Sequence, residues 1–135
     1  MKKILLLCAS TLFLTACTDK QQYEEAVLAE MQQEKDLKDY KIDPEYMTQC
    51  VVELTTKEMP GLFAFDPYRM TAYQNYTKMI TMGTVENKQQ RLEELRTLFG
   101  SPQELTKAHA TYTTSVMDCM ASIIAKSENK EEDKK

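Results

Sequence analysis

Cysteine, histidine, methionine and tyrosine are the residues of this chain with chemistry to offer. Among 135 residues there is one histidine and there are four cysteines. His109 falls at the boundary of an apolar stripe, beside Tyr112 and Met120. A lone imidazole in that position reads first as a hydrogen-bonded boundary residue, and no serine or cysteine nucleophile is linked to it by motif. Met79-x-x-Met82 and Met117-x-x-Met120 form two i,i+3 pairs. Thioethers bind Cu(I), so Met79, Met82, Met117 and Met120 are the candidate metal ligands, although methionine also fills helical cores because it is unbranched and flexible. Tyr46, Tyr68, Tyr73, Tyr76 and Tyr112 either line a cleft with His109 or sit at an edge with their hydroxyls in water. The candidate cleft residues are Tyr76, His109 and Tyr112. Glu24-Glu25, Glu93-Glu94 and Glu131-Glu132 read as solvated charge rather than a buried acid–base pair. The sequence contains no glycine-rich phosphate loop, zinc-ligand spacing or haem-attachment motif. Neither an enzyme nor a cofactor is expected.

The elements that must position these residues are helical. Three glycines, four prolines and no tryptophan accompany abundant Ala, Leu, Met, Glu, Gln and Lys, a mixture that favours helices over strands. Asp43-Pro44, Asp66-Pro67 and Ser101-Pro102 each place a capping residue before proline at the first helical position, and Ser101 to Glu104 reads as a capping box. These starts predict helices from Pro44 to about Lys57, from Pro67 to about Met82, and from Pro102 to about Lys126. The first carries Tyr46, Met47, Cys50, Val51 and Leu54 on one side. The second carries Tyr68, Ala72, Tyr76, Met79 and Ile80. The last carries Leu105, Tyr112, Val116, Cys119 and Ile123, with Ala108 at the edge. Between them, Val85 to Phe99 presents Leu92, Leu95 and Phe99 out of phase with the preceding stripe. A break at Gly83-Thr84 is therefore expected, with Gly100 at the left-handed C′ position.

Leu62-Phe63-Ala64-Phe65 is an apolar run inside a connection. The plain reading is a plug folded over the bundle end, and the sharper one is an exposed contact of Leu62, Phe63 and Phe65 with a partner or membrane. Residues 17–42 are polar. Tyr23, Val27 and Met31 share a face there, but the stripe fades, and a helical or flexible stalk is expected. Residues 128–135 read as a charged disordered tail.

At the start, Lys2 and Lys3 precede an apolar segment, Ile4 to Leu14, which is too short to span a bilayer and reads as a cleavable export signal. It closes on Leu14-Thr15-Ala16-Cys17, which resembles the lipobox of bacterial lipoproteins. That resemblance implies removal of residues 1–16 and acylation of Cys17, with palmitate among the expected chains, and hence a membrane anchor facing the periplasm. Thr18, in place of Asp after the lipidated cysteine, implies the outer membrane. Removing the first 16 residues leaves 119, enough for one domain with a core. The leader takes two lysines with it, leaving 15 basic and 21 acidic residues, which is no footprint for nucleic acid. Cys8 would leave with the leader, and Cys50 and Cys119 would remain in an oxidising compartment. A disulfide between them is the default, with free thiols or a metal pair as alternatives. Both cysteines lie on apolar faces, which favours the bridge.

The expected molecule is thus all-α, a small bundle of three to four helices over residues 43–127 closed by one disulfide. Its expected role is that of a lipid-anchored, non-enzymatic interaction or accessory module with an envelope protein as partner. A periplasmic carrier of a small ligand or metal is the alternative.

Overall fold

The computed structural model describes the backbone of residues 2–132 and the side chains of residues 18–127. It is all-helical, with no strand among the described residues. Among the described residues six α-helices follow one another: α1 (Lys2–Gln33), α2 (Lys35–Asp39), α3 (Pro44–Glu58), α4 (Pro67–Ile80), α5 (Lys88–Leu98) and α6 (Pro102–Glu132). A 3₁₀ turn, Thr81–Thr84, joins α4 to the α5 connection. The helices expected from the three proline starts and from the segment after Gly83 are α3 to α6. The break near Gly83 occurs, and α5 begins later than expected because Asn87 caps it by accepting the Gln90 N–H at 3.0 Å.

The proline starts are capped by their own side chains. Asp43 accepts from Tyr46 N, Asp66 from Tyr68 N and Ser101 from Glu104 N. Each bond satisfies an amide that the first turn leaves without an intrahelical partner. Gly100 follows α5 at φ +90°, in the left-handed conformation expected of it.

The largest departure from expectation is at the start of the chain. Residues 18–42 are no stalk; they supply the centre of the core. Tyr23 and Val27 are fully buried, and Met31, Leu37 and Ile42 nearly so. Helix α1 packs against α3 and α4. The Tyr23 ring stacks on Tyr73 (centroids 5.5 Å) and meets Tyr76 edge-on (6.1 Å). Its hydroxyl lies 2.5 Å from Thr55 Oγ1, which itself donates to the Val51 carbonyl. The stripe fades in sequence because α1 ends at Gln33 and α2 begins anew at Lys35. Helix α2 ends in a Schellman motif, in which Ile42 N donates to Leu37 O and Lys41 N to Lys38 O, with Lys41 at φ +55°. That turn folds Leu37 and Ile42 onto the core that Met31 leaves.

The other end also differs from expectation. Helical backbone continues to Glu132, into the segment read as a disordered tail. Residues 127–132 contain no proline or glycine to stop a helix, and several good helix formers. The side chains from Glu128 onward, and the last three residues, lie outside the described residues.

Helix α6 packs on α3. The disulfide Cys50–Cys119 joins them, with Cα atoms 5.9 Å apart and a sequence separation of 69. Tyr112 donates to Glu30 at 2.6 Å, tying α6 to α1. Helix α5 is held to α4 by Lys78, which bonds Glu94 at 2.5 Å, with Arg91 on the same carboxylate at 3.2 Å. The Lys78 bond is the main reason that Glu94 sits below the usual carboxylate range.

Candidate functional site

The connection from α3 to α4 is the most unusual surface of the molecule. Leu62 is 95% exposed, and Phe63, Phe65 and Tyr68 are 61%, 57% and 74% exposed. The plug reading is therefore overturned, and Tyr68 also leaves the buried stripe it was assigned to. Four large apolar side chains stand in water on seven consecutive residues.

Their backbone is held firmly. Asp66 is buried. One of its carboxylate oxygens accepts from Leu62 N at 3.0 Å and the other from Tyr68 N at 2.9 Å. These two amides, the Leu62 bond first, hold the Asp66 carboxyl below its usual range. Its own N–H donates to the Phe63 carbonyl at 3.1 Å. Arg69 closes the loop from below, one guanidinium nitrogen donating to the Thr56 carbonyl and another to the Gly61 carbonyl, the latter at 2.5 Å. Gly61 stands at φ +104°, and a Cβ there would come within 2.9 Å of the Arg69 backbone and Cβ. Only glycine allows so close an approach. Met59, just before the loop, is buried. The loop is thus anchored inward by its polar groups while its apolar side chains point away from the core.

This tip lies at the end of the bundle where Asp19 to Gln21 of α1 pack. Asp19 accepts a hydrogen bond from Gln74 of α4 at 3.0 Å. Lys20 and Gln21 line the same groove as Thr56 and Lys57, which belong to the last turn of α3 before the tip. Cys17 is two residues before Asp19. Its side chain, and with it the lipidation expected there, lies outside the described residues.

The structure does not bring the expected cleft residues together. Tyr76 and Tyr112 are each 5% exposed, and His109 is on the surface. Tyr112 is occupied by Glu30, and burial, followed by that bond, raises its phenol far above the ordinary range. Tyr76 packs its ring on Phe99 and borders a hollow of about 350 Å³ with Asn75, Leu98 and Lys107. His109 faces a different hollow, of about 520 Å³, with Met79, Met82, Leu92 and Leu105. The methionine pairs separate likewise. Met79 and Met82 share the His109 hollow, whereas Met117 is exposed and Met120 half-buried on α6. No group of three or more His, Cys, Asp or Glu side chains converges as a metal site among the described residues.

One surface escaped the sequence reading. A groove of about 720 Å³ runs between α1 and α3, floored by Leu28, Thr48 and Val52 and rimmed by Glu24, Glu25, Glu45 and Glu53. Thr56 Oγ1 is buried at its edge without a hydrogen-bond partner. The signal for it was Leu28, an apolar residue off the Tyr23–Val27–Met31 stripe. It acquires meaning only once α1 is known to lie along α3.

No helix of the described residues is long and apolar enough to cross a membrane. Comparison with protein-family models, with curated proteins and with solved structures finds no match for this chain.

Proposed function

We propose that this chain is a bacterial envelope lipoprotein, tethered through acylated Cys17 at the periplasmic face of the outer membrane, which serves as a non-enzymatic interaction or accessory module. The observation that carries the reading is the rigid apolar tip of Leu62, Phe63, Phe65 and Tyr68 at the same end of the bundle as Cys17. A domain free in water has no use for such a surface, and exposed apolar patches on stable proteins mark contacts. The reactive groups are scattered, which supports a binding role over catalysis. The groove between α1 and α3 is the surface left for an envelope protein partner, with an apolar floor and a mainly acidic rim. The bundle, closed by its disulfide, acts as a stiff spacer between the two contacts. The test is mass spectrometry of the mature N-terminus together with in-cell photocrosslinking from Gln49, on the groove wall. Acylated Cys17 and a stoichiometric envelope protein are expected. An unmodified Cys17, or turnover of an envelope substrate by the purified protein, overturns the reading.

A carrier role has one observation in its favour. Met79, Met82 and His109 line a single hollow, a donor set suited to a soft ion such as Cu(I). Addition of Cu(I) would shift the Met79 and Met82 methyl resonances, and unchanged methyls remove this reading.

A further inference from the structure

We infer that the apolar tip seats in the lipid bilayer itself, as a second and shallow membrane contact beside the acyl anchor. The inference rests on the anchor proposed above and names the partner of the tip.

Two features point to lipid. The first is the side-chain set. One aliphatic and two phenylalanine side chains stand exposed with a tyrosine, Tyr68, whose hydroxyl can stay at headgroup level. The second is position. Two residues of chain span at most about 7 Å, so Cys17 cannot lie further than that from Asp19. Asp19 is bonded to α4, and its neighbours line the last turn of α3, where the tip begins. No long tether separates the anchor from the core, and acyl chains in a membrane would bring the tip down to it.

The charges nearby indicate what kind of contact it is. Lys20 is paired with Glu24 and Lys57 with Glu53. The charge beside the tip is thus locally balanced, and insertion depends mainly on apolar burial.

The chain has no tryptophan, so a single one makes a clean reporter. Full-length acylated protein carrying Phe63→Trp is reconstituted into phosphatidylethanolamine–phosphatidylglycerol vesicles, with and without bromine on the acyl chains. Phe65→Trp is the second reporter, for use if the first disturbs the loop. Tyr40→Trp, exposed just after α2, is the control. The expected result is a blue-shifted emission at position 63, quenched several-fold by brominated chains, while position 40 stays solvent-like. Removing phosphatidylglycerol should leave the quenching unchanged. Solvent-like, unquenched emission at both 63 and 65 overturns the inference, as does a shift that appears only when envelope proteins are added. The intact mass reports the anchor separately. Acyl-free Cys17 refutes the proposed function, whereas acylated protein with a solvent-like tip refutes this inference alone.

Discussion

Reduction of the Cys50–Cys119 disulfide should destabilise the fold without dissolving it. The bridge closes a loop of 69 residues. In the chain-entropy description, a loop of that length restricts the unfolded state by about 4.4 kcal/mol at 25 °C. Measured losses for native bridges are about 2–5 kcal/mol, so a fall in that range is expected. The ring encloses α4, α5 and most of α6, but α1 lies outside it. The Tyr23 cluster that α1 forms with α3 and α4 does not pass through the bridge, so the reduced chain should stay helical. Reduction also keeps both sulfur atoms in place, which separates the cross-link from packing. Cys119→Ala does not, because Cys119 is fully buried and its truncation adds a cavity cost. The assay is urea unfolding followed by circular dichroism, with and without reductant. The reduced protein should unfold at a midpoint lower by roughly 1–2 M, with a steeper slope, since an uncrosslinked chain exposes more surface. Coincident curves would refute the loop-entropy reasoning. Coincident curves together with a destabilised Cys119→Ala variant would assign the whole contribution to packing.

Other perturbations test the rest of the fold. Deleting residues 18–42 should leave an unfolded chain, since the deletion removes Tyr23, Val27, Met31, Leu37 and Ile42 from the core; a folded remainder by circular dichroism would restore the stalk. Thr55→Val should cost more than Tyr23→Phe in urea unfolding, roughly 1–3 against about 1 kcal/mol, because it strands the buried Tyr23 hydroxyl whereas Tyr23→Phe leaves Thr55 bonded to Val51. Phe63→Asp should change stability by less than about 0.5 kcal/mol, since the side chain is already in water, and Gly61→Ala should cost about 1–3 kcal/mol through its left-handed φ and the approach to Arg69. The phenols of Tyr23, Tyr76 and Tyr112 are all raised, chiefly by burial. The unfolded chain therefore ionises first, and stability should fall as pH rises above about 10; phenolate absorbance should show these three titrating only as the chain unfolds, and early titration of all seven tyrosines would refute the buried cluster.

The acid side carries a smaller prediction of the same kind, and its sign follows from Asp66. A carboxyl held below its usual range stabilises the fold above the unfolded value, about 3.9, and loses that contribution as pH falls through the folded value. Asp66→Asn should flatten the acid limb of the stability curve and loosen the tip, since an amide has one acceptor oxygen where the loop uses two.

The amino-acid sequence alone determined what is local or covalent. Aspartate or serine before proline specifies a helix start within one residue, because the cap and the fixed proline φ act over a single turn. Gly100 and the phase slip near Gly83 located the ends of α4 and α5 for the same reason. Cys50 and Cys119 could be paired because each lies on the apolar face of its own helix. What only the tertiary structure decided is which surfaces meet. Tyr23, Val27 and Met31 form a thin stripe in polar surroundings, and nothing local says that two helices will close over it. Leu62, Phe63 and Phe65 have the composition of a core plug, yet Asp66 and Arg69 hold their backbone so that they face outward. Tyr76 borders one hollow while His109 and Met82 share another, a separation set by the way α5 and α6 pack. Burial is a property of neighbours brought from elsewhere in the chain, which is why residue type alone left the tip open between plug and contact.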